Sequence, residues 1–167
     1  MDDLIKQVIE KLKKRQNSNA FLSFNNLSSP PGKQLFIDNS CVILKSISIQ
    51  FVKDLYALKT SNPWVSWVLN GINLGIHFYL QISENIVSFV PRLMVLDWPI
   101  DFIINDQTLI TASYSNIISR KEIASLPDNA VLIRIHEQKL SDEAIELCNE
   151  KKIKIIVRTE KDCIWLK

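Results

Sequence analysis

The chain has 167 residues, of which 47% are hydrophobic, and a formal net charge of +2. This length and hydrophobic content are sufficient for one domain with a buried core. The small net charge and the lack of a basic stripe interleaved with aromatic residues argue against nucleic-acid binding. The longest apolar stretches are interrupted by polar residues and are too short to span a bilayer, so no membrane partner is expected.

Cysteine and glycine usage narrows the class of protein further. Three cysteines, Cys41, Cys148 and Cys163, show no CxxC spacing and have an odd count, which indicates free thiols in a reducing compartment. The N-terminus lacks the apolar core of a secretory signal, and we expect a bacterial, cytoplasmic protein. Only three glycines occur and no phosphate-binding motif is present. We therefore predict no cofactor site. Because no residues show metal-ligand spacing, we predict no metal site either.

The N-terminal segment has the strongest helical pattern in the chain. Apolar residues recur at i, i+1, i+4, i+5 and i+8, which places them on one face of a helix. The acidic residues stand at its start and the basic ones at its end, where the helix dipole favours each sign. An isolated helix of this length is marginal in water, so this face must pack on a surface. We call these residues the apolar stripe: Leu4, Ile5, Val8, Ile9 and Leu12.

The surface that covers the apolar stripe is left open by the sequence. Packing on the parent domain and docking on an external partner are about equally compatible with the pattern. We predict an amphipathic docking helix over 1–17 and an Asn/Ser-rich linker over 18–33, which ends in a Ser-Ser-Pro-Pro-Gly stretch. The remaining residues, 34–167, are predicted to form one α/β domain.

The predicted elements alternate along the chain. Apolar, β-branched runs predict strands, and helical spacing with capping signals predicts helices. The predicted strands are 34–37, 41–44, 76–82, 93–96, 131–135 and 153–157, with a hairpin over 101–104 and 107–111. The predicted helices are 48–58, one opened by Asn62-Pro63, 83–90, one opened by the capping box Ser119–Glu122, and 141–150. This alternation is typical of a mostly parallel sheet with helices on both faces.

Side chains that carry chemistry are few. His77 and His136 follow or lie in predicted strands, but nothing in their spacing requires them to meet, and solvent-facing or hydrogen-bonded histidines are favoured. Asp97 and Asp101 flank a Trp-Pro-Ile segment. They suggest paired carboxylates at a strand end, although ordinary turn chemistry explains them better.

The cysteines and tryptophans can likewise be interpreted as functional or as structural residues. A nucleophilic thiol needs a neighbouring base, and buried or incidental thiols are favoured for all three cysteines. Trp64 and Trp67, with Trp165 near the C-terminus, suggest a stacking platform, but aromatic residues at helical spacing usually belong to a core or an interface. The apolar C-terminal segment 163–166 either packs on the domain or docks elsewhere.

Several blocks of the sequence resemble the PduM family of bacterial microcompartment proteins. They include 74–80, 86–91, 109–111, 119–126 and the closing block from 131 to 156, together with the opening helix. Their order along the chain matches from end to end, whereas residues 21–61 match poorly. The resemblance implies a non-enzymatic component of the propanediol-utilisation microcompartment that is needed for its assembly. It provides no catalytic residues.

Three hypotheses follow. The first is a structural protein that docks to shell or encapsulated core proteins through the apolar stripe, with a homo-oligomer left open. The second is an α/β domain that binds a flavin- or nucleotide-type ligand near His77, Asp97 and His136, against which the low glycine content counts. The third is an enzyme, but the sequence contains no nucleophile–base or metal-ligand spacing that supports this hypothesis.

Overall fold

The computed structural model of the protein describes residues 2–160 and residue 165, and the side chains from residue 4 onward. The chain divides into two compact units, Met1–Gln81 and Ile82–Lys167. Cys163 and most of the predicted apolar C-terminal segment lie outside the described residues. Among the described residues, no helix combines the length and the apolar content needed to cross a bilayer.

The first unit alternates helices with parallel strands. The strands pair in the order β1-β2-β3, with Asn19 opposite Cys41 and Cys41 opposite His77. Parallel neighbours require crossover connections, and short helices supply them here. The elements are α1 (Asp2–Gln16), β1 (Asn19–Ser23), α2 (Gln34–Asp38), β2 (Cys41–Lys45), α3 (Ile49–Tyr56), α4 (Pro63–Asn73) and β3 (His77–Ile82).

Polar side chains define where these helices begin. Ser48 accepts a hydrogen bond from the amide of Phe51 and so caps α3, and Asn62 accepts one from the amide of Trp64 and caps α4. Both residues satisfy an amide that has no partner inside the helix. After α4, Gly75 takes a φ of +74°, a conformation that glycine adopts without strain.

An aromatic cluster fills the core of the first unit. Phe78 of β3 and Phe36 of α2 lie with their ring centroids 6.3 Å apart, and Trp67 stacks on Phe36 at 4.6 Å. Trp64 extends the cluster to Phe24 at 5.4 Å. All five side chains are buried, so the tryptophans of α4 belong to the core.

The described part of the second unit contains four paired strands, a small two-stranded ladder and three α-helices. The strands pair in the order β4-β5-β7-β9; β4 and β5 are antiparallel and the later pairs parallel. A parallel ladder joins β6 to β8. The elements are a 3-10 helix (Glu84–Phe89), α5 (Arg92–Asp97), β4 (Ile100–Ile104), β5 (Thr108–Ala112), β6 (Ile117–Ile118), α6 (Arg120–Ser125), β7 (Val131–Ile135), β8 (Lys139–Leu140), α7 (Asp142–Glu150) and β9 (Lys154–Arg158).

One face of this second sheet packs against α6 and α7. Leu132 of β7 belongs to a buried cluster with Ile123 of α6 and Cys148 of α7. At the end of β9, the buried guanidinium of Arg158 donates hydrogen bonds to the carbonyls of Val87 and Val90. These carbonyls lie at the end of the 3-10 helix, where helical acceptors lack partners.

Three local predictions are wrong. Residues 34–37 form the helix α2 and not a strand, and residues 93–96 lie in α5. In both segments a run of three or four apolar residues does not distinguish a strand from a short buried helix. The predicted linker 18–33 contains β1, because Ala20 and Leu22 alternate with exposed residues along β2. The Asn and Ser residues around them obscured this short apolar strand.

The predicted fold class is confirmed. The chain is a mixed α/β protein in which nearly all described strand pairs are parallel. The amphipathic helix α1 precedes the first strand. The hairpin around Asn105-Asp106 is present as β4 and β5. The capping box at Ser119–Glu122 is also present.

Candidate functional site

The apolar stripe of α1 is exposed. Its five side chains range from 45% exposed at Ile9 to 67% exposed at Leu4. Soluble proteins leave single apolar side chains exposed, but a contiguous row on one helix face indicates a surface that binds something. The described part of the first unit therefore leaves uncovered the face that we predicted to dock.

The C-terminal end of α1 is fixed to the first unit. The guanidinium of Arg15 donates from Nε to the carbonyl of Asn39 over 3.3 Å and from Nη2 to the carbonyl of Leu74 over 3.1 Å. The hydroxyl of Ser40 donates to the carbonyl of Gln16 over 3.2 Å. The cation and the last carbonyls of neighbouring helices complement each other electrostatically. This end of the stripe is thus held beside the ends of α2 and α4.

A groove runs between α1 and those helix ends. Val8 and Leu12 of the stripe line one side, and Ile37 of α2 and Leu74 after α4 line the other. Phe36, which is buried, also lines it. The cavity has a volume of about 250 Å³. We call it the α1 groove.

A second, more polar cleft adjoins the α1 groove. It has a volume of about 340 Å³ and shares Lys11, Arg15 and Ile37 with the groove. Lys14 adds a further cation, and Asp38 is the carboxylate that lines it. Both carboxylate oxygens of Asp38 accept from the side-chain amide of Gln34, at 3.2 and 3.1 Å. The rim of the groove is therefore basic.

The two histidines lie in separate units. His77 begins β3, and its ring packs edge-on against Tyr79 with centroids 4.7 Å apart. His136 follows β7, and its backbone amide donates to the carbonyl of Arg158 over 3.0 Å. Over residues 2–160 and 165, no group of three or more His, Cys, Asp or Glu side chains is arranged to hold a metal ion. The ligand site predicted near His77, Asp97 and His136 stays a prediction.

The Asp97–Asp101 segment forms a turn. Asp97 ends α5, a bend follows at Trp98 and Pro99, and β4 begins at Ile100. The carboxylate of Asp97 accepts a hydrogen bond from the phenol of Tyr114, which raises the pKa of Tyr114. The chain therefore bends between α5 and β4, in agreement with the turn interpretation, and Asp101 lies in β4.

The cysteines and tryptophans that the structure describes take structural positions. Cys148 is buried on α7, and burial raises the pKa of its thiol, which disfavours the nucleophilic thiolate. Cys41 is half-buried within β2. Trp64 and Trp67 are core residues and form no exposed platform. Trp165 is half-buried, and Cys163 lies outside the described residues.

Sequence reasoning missed most of a polar cluster around Glu122 in the second unit. Its carboxylate accepts from the amide of Ser119 at 2.9 Å, from the hydroxyl of Ser113 at 2.7 Å and from that of Ser115 at 2.9 Å. These bonds favour the charged form, and they lower the pKa of Glu122 to about 2. The capping box predicted the bond to Ser119, whereas no pattern of spacing pointed to the other two serines.

Two further side chains, Arg92 and Gln138, form hydrogen bonds to the loop that contains Ser113 and Ser115. The main-chain carbonyl of Ser113 accepts a hydrogen bond from the guanidinium of Arg92 and another, over 2.7 Å, from the side-chain amide of Gln138. That amide also donates to the carbonyl of Ser115 over 2.8 Å. Both Arg92 and Gln138 are buried. A cavity of about 210 Å³ beside Glu122 is lined mainly by apolar residues. Because the oxygens of Glu122 accept from the protein itself, this cluster fixes the loop after β5.

Fold and site together define an α/β protein that carries an exposed amphipathic helix beside an apolar groove. The PDU_like family, described as "Putative propanediol utilisation", matches residues 3–154. The chain belongs to this family, and the match extends from the second residue of α1 to the first residue of β9. Comparisons with curated proteins and with solved structures found no match.

Proposed function

We propose that this chain is a non-enzymatic assembly component of a bacterial microcompartment for propanediol utilisation. In this proposal it docks to shell or encapsulated core proteins through the apolar stripe of α1, in or on the compartment in the bacterial cytoplasm. The observation that carries the proposal is the exposure of all five stripe residues on a helix attached to a folded α/β unit. Family membership supplies the propanediol-utilisation context.

Within the family, we propose that the chain is of the PduM type. The support is the end-to-end order of the sequence blocks that resemble PduM, including the opening helix. A non-enzymatic role agrees with the positions of the side chains that we considered for catalysis. Cys148 is buried with a raised pKa, and Asp97 accepts a hydrogen bond from Tyr114.

Docking gains free energy from burial of the apolar stripe. Each square ångström of apolar surface removed from water contributes about 25 cal/mol. A groove that receives an amphipathic helix buries such a stripe with residues at i, i+3, i+4 and i+7 spacing as anchors. Glutamate in the middle of the stripe opposes this burial, because its charge must leave water.

The test uses the full chain fused at its C-terminus to a fluorescent protein, in bacteria that make propanediol-utilisation compartments. We expect discrete foci that copurify with shells for the natural chain, and diffuse fluorescence for Val8→Glu and Ile9→Glu. Lys6→Gln changes the net charge by the same amount on the polar face of α1 and should keep the foci. Foci that persist in both stripe variants would overturn the proposal.

The variants are suited to this test because the helix face is exposed. Val8 is 49% exposed and Ile9 is 45% exposed, so neither substitution places a charge in the core. Circular dichroism and the unfolding midpoint of each purified variant should match those of the natural chain. If one of these variants fails to fold, its loss of foci is not informative, and Ile5→Glu takes its place. Ile5 is also exposed, at 53%.

A further inference from the structure

We propose that the α1 groove as a whole, and not the apolar stripe alone, is the docking site, and that it binds an amphipathic helix with an acidic flank from a partner protein. This inference rests on the proposed function and deepens it. It adds Ile37 and Leu74 to the site and states the chemistry of the partner.

The wall of the groove that faces α1 is also apolar. Ile37 is 62% exposed and Leu74 is 52% exposed, although both line the same cavity as Val8 and Leu12. Phe36 is only 1% exposed and contributes a buried aromatic surface to it. Apolar residues from three separate elements thus face one cavity that the described part of the first unit leaves open.

The size of the groove fits anchor side chains. Its volume of about 250 Å³ lies below the range of about 300–1,000 Å³ that is typical of small-molecule pockets. A bound helix inserts one or two large apolar side chains into such a cavity and lays the rest of its apolar face along the walls. The groove is also held in shape, because Arg15 ties α1 to the carbonyls of Asn39 and Leu74.

The positive charge of the groove rim favours a bound helix with acidic residues beside its apolar face. Lys11 and Arg15 line the groove, and Lys14 lies in the adjoining cleft. Asp38 is a single carboxylate beside three cations, so it offsets their charge only in part. Glutamate or aspartate beside the apolar face of a bound helix complements this rim, whereas lysine or arginine there is repelled.

The binding test uses two synthetic helical peptides of the same length as α1. They share one apolar stripe and differ only in their flanking residues, glutamate in one and lysine in the other. Fluorescence anisotropy with the full chain should show binding of the acidic peptide at least about tenfold tighter than of the basic one. The affinity for the acidic peptide should fall as salt is added. Equal binding of both peptides, or binding of neither, would overturn the proposal.

Variants of the second wall test the location. Ile37→Glu and Leu74→Glu should each weaken binding of the acidic peptide about tenfold or more. Leu27→Glu adds the same charge at a leucine that is 97% exposed and does not line the groove, and it should bind normally. Unchanged affinity in both groove variants would show that the second wall takes no part.

The same variants in cells separate the two proposals. If Val8→Glu disperses the foci while Ile37→Glu and Leu74→Glu keep them, the proposed function stands and the groove inference fails. If all three keep the foci, and Ile9→Glu keeps them too, the proposed function itself fails. Loss of foci in all three, with foci kept in Leu27→Glu, supports both. Binding of the chain to vesicles that contain anionic lipid, unaffected by Ile37→Glu or Leu74→Glu, would instead assign the stripe to a lipid surface and overturn the groove.

Discussion

The guanidinium of Arg15 donates a hydrogen bond to the main-chain carbonyl of Leu74 across 3.1 Å. This bond joins the last turn of α1 to the residue that follows α4. It places the basic end of the amphipathic helix against a helix C-terminus, where a cation is favoured. The bond therefore fixes one end of the apolar stripe while the rest of the helix stays exposed.

Replacing Arg15 with glutamine should loosen α1. The variant loses the hydrogen bonds to Asn39 and Leu74, and we expect faster amide hydrogen exchange over residues 4–16. The rest of the first unit should be less affected, because the ring contacts of its aromatic core join α2, α4 and β3 to one another. Hydrogen-exchange mass spectrometry measures both regions. Lys13→Gln removes the same charge from the same turn and should exchange like the natural chain; equal exchange in the two variants would contradict the role of Arg15.

Replacing Gly71 with alanine should destabilise the first unit. A Cβ atom there would lie 2.6 and 2.7 Å from two ring atoms of Phe78 and 3.1 Å from Phe36. The preference of helices for alanine is worth up to about 1 kcal/mol, but overpacking of a core costs about 1–3 kcal/mol. We expect a net loss of unfolding free energy, measured by urea denaturation.

A second glycine serves as the control for that substitution. A Cβ atom at Gly32 would meet nothing within 4 Å. Gly32→Ala should leave stability unchanged or raise it slightly, by less than about 1 kcal/mol, through the lower entropy of the unfolded chain. If Gly71→Ala were as stable as Gly32→Ala, the close packing of α4 on β3 would be refuted.

The charge of Glu122 should stabilise the second unit in a pH-dependent way. Hydrogen bonds from Ser119, Ser113 and Ser115 lower the pKa of Glu122 from 4.5 to about 2. A carboxyl group with a lowered folded-state pKa adds stability that is complete above its unfolded-state pKa. That stability is lost as the pH falls from about 4.5 through about 2. We estimate the full contribution at about 1–2 kcal/mol after allowing for solvent screening.

The measurement compares Glu122→Gln with the natural chain in urea at several pH values. The difference in unfolding free energy should be largest near neutral pH and should shrink as the pH falls below about 4.5. Glu146→Gln, at an exposed position on α7, should show little difference at any pH. A constant difference for Glu122→Gln down to the lowest pH would mean that its charge contributes nothing.

Local capping chemistry made several elements predictable from sequence. The capping box at Ser119–Glu122, the Asn62-Pro63 helix start and the Ser141 cap all depend on neighbouring residues, and all are present. The periodic pattern of α1 likewise predicts the helix and the residues of its apolar stripe, because that pattern persists over the whole helix. Its exposure depends on the neighbouring elements and is left open by the sequence.

Features that depend on distant residues could not be predicted in this way. The α1 groove combines residues from three elements, with Val8 and Leu74 far apart in the chain. The carbonyl of Ser113 meets Gln138 across 25 positions. The short apolar run of residues 34–37 predicts a strand, but the segment forms a helix in which Phe36 packs against Trp67. In each instance tertiary contacts decide the outcome.

The two tryptophans of α4 provide a matched pair for the last prediction. Both are buried in the aromatic cluster, yet their indole nitrogens differ. Nε1 of Trp64 donates to the carbonyls of Asn25 over 3.0 Å and Ser28 over 2.7 Å. Nε1 of Trp67 is buried without a hydrogen-bond partner among the described residues.

Phenylalanine at each position removes the indole nitrogen and keeps an aromatic ring. Trp64→Phe removes the hydrogen bonds to the carbonyls of Asn25 and Ser28, and we expect it to cost about 1–2 kcal/mol more than Trp67→Phe in urea unfolding. Both variants lose similar apolar volume, so the difference between them isolates the hydrogen bonds. Limited proteolysis should also cut residues 25–28 faster in Trp64→Phe, because the indole no longer holds that loop. Equal stability and equal cleavage in the two variants would show that Trp64 stabilises the unit by packing alone.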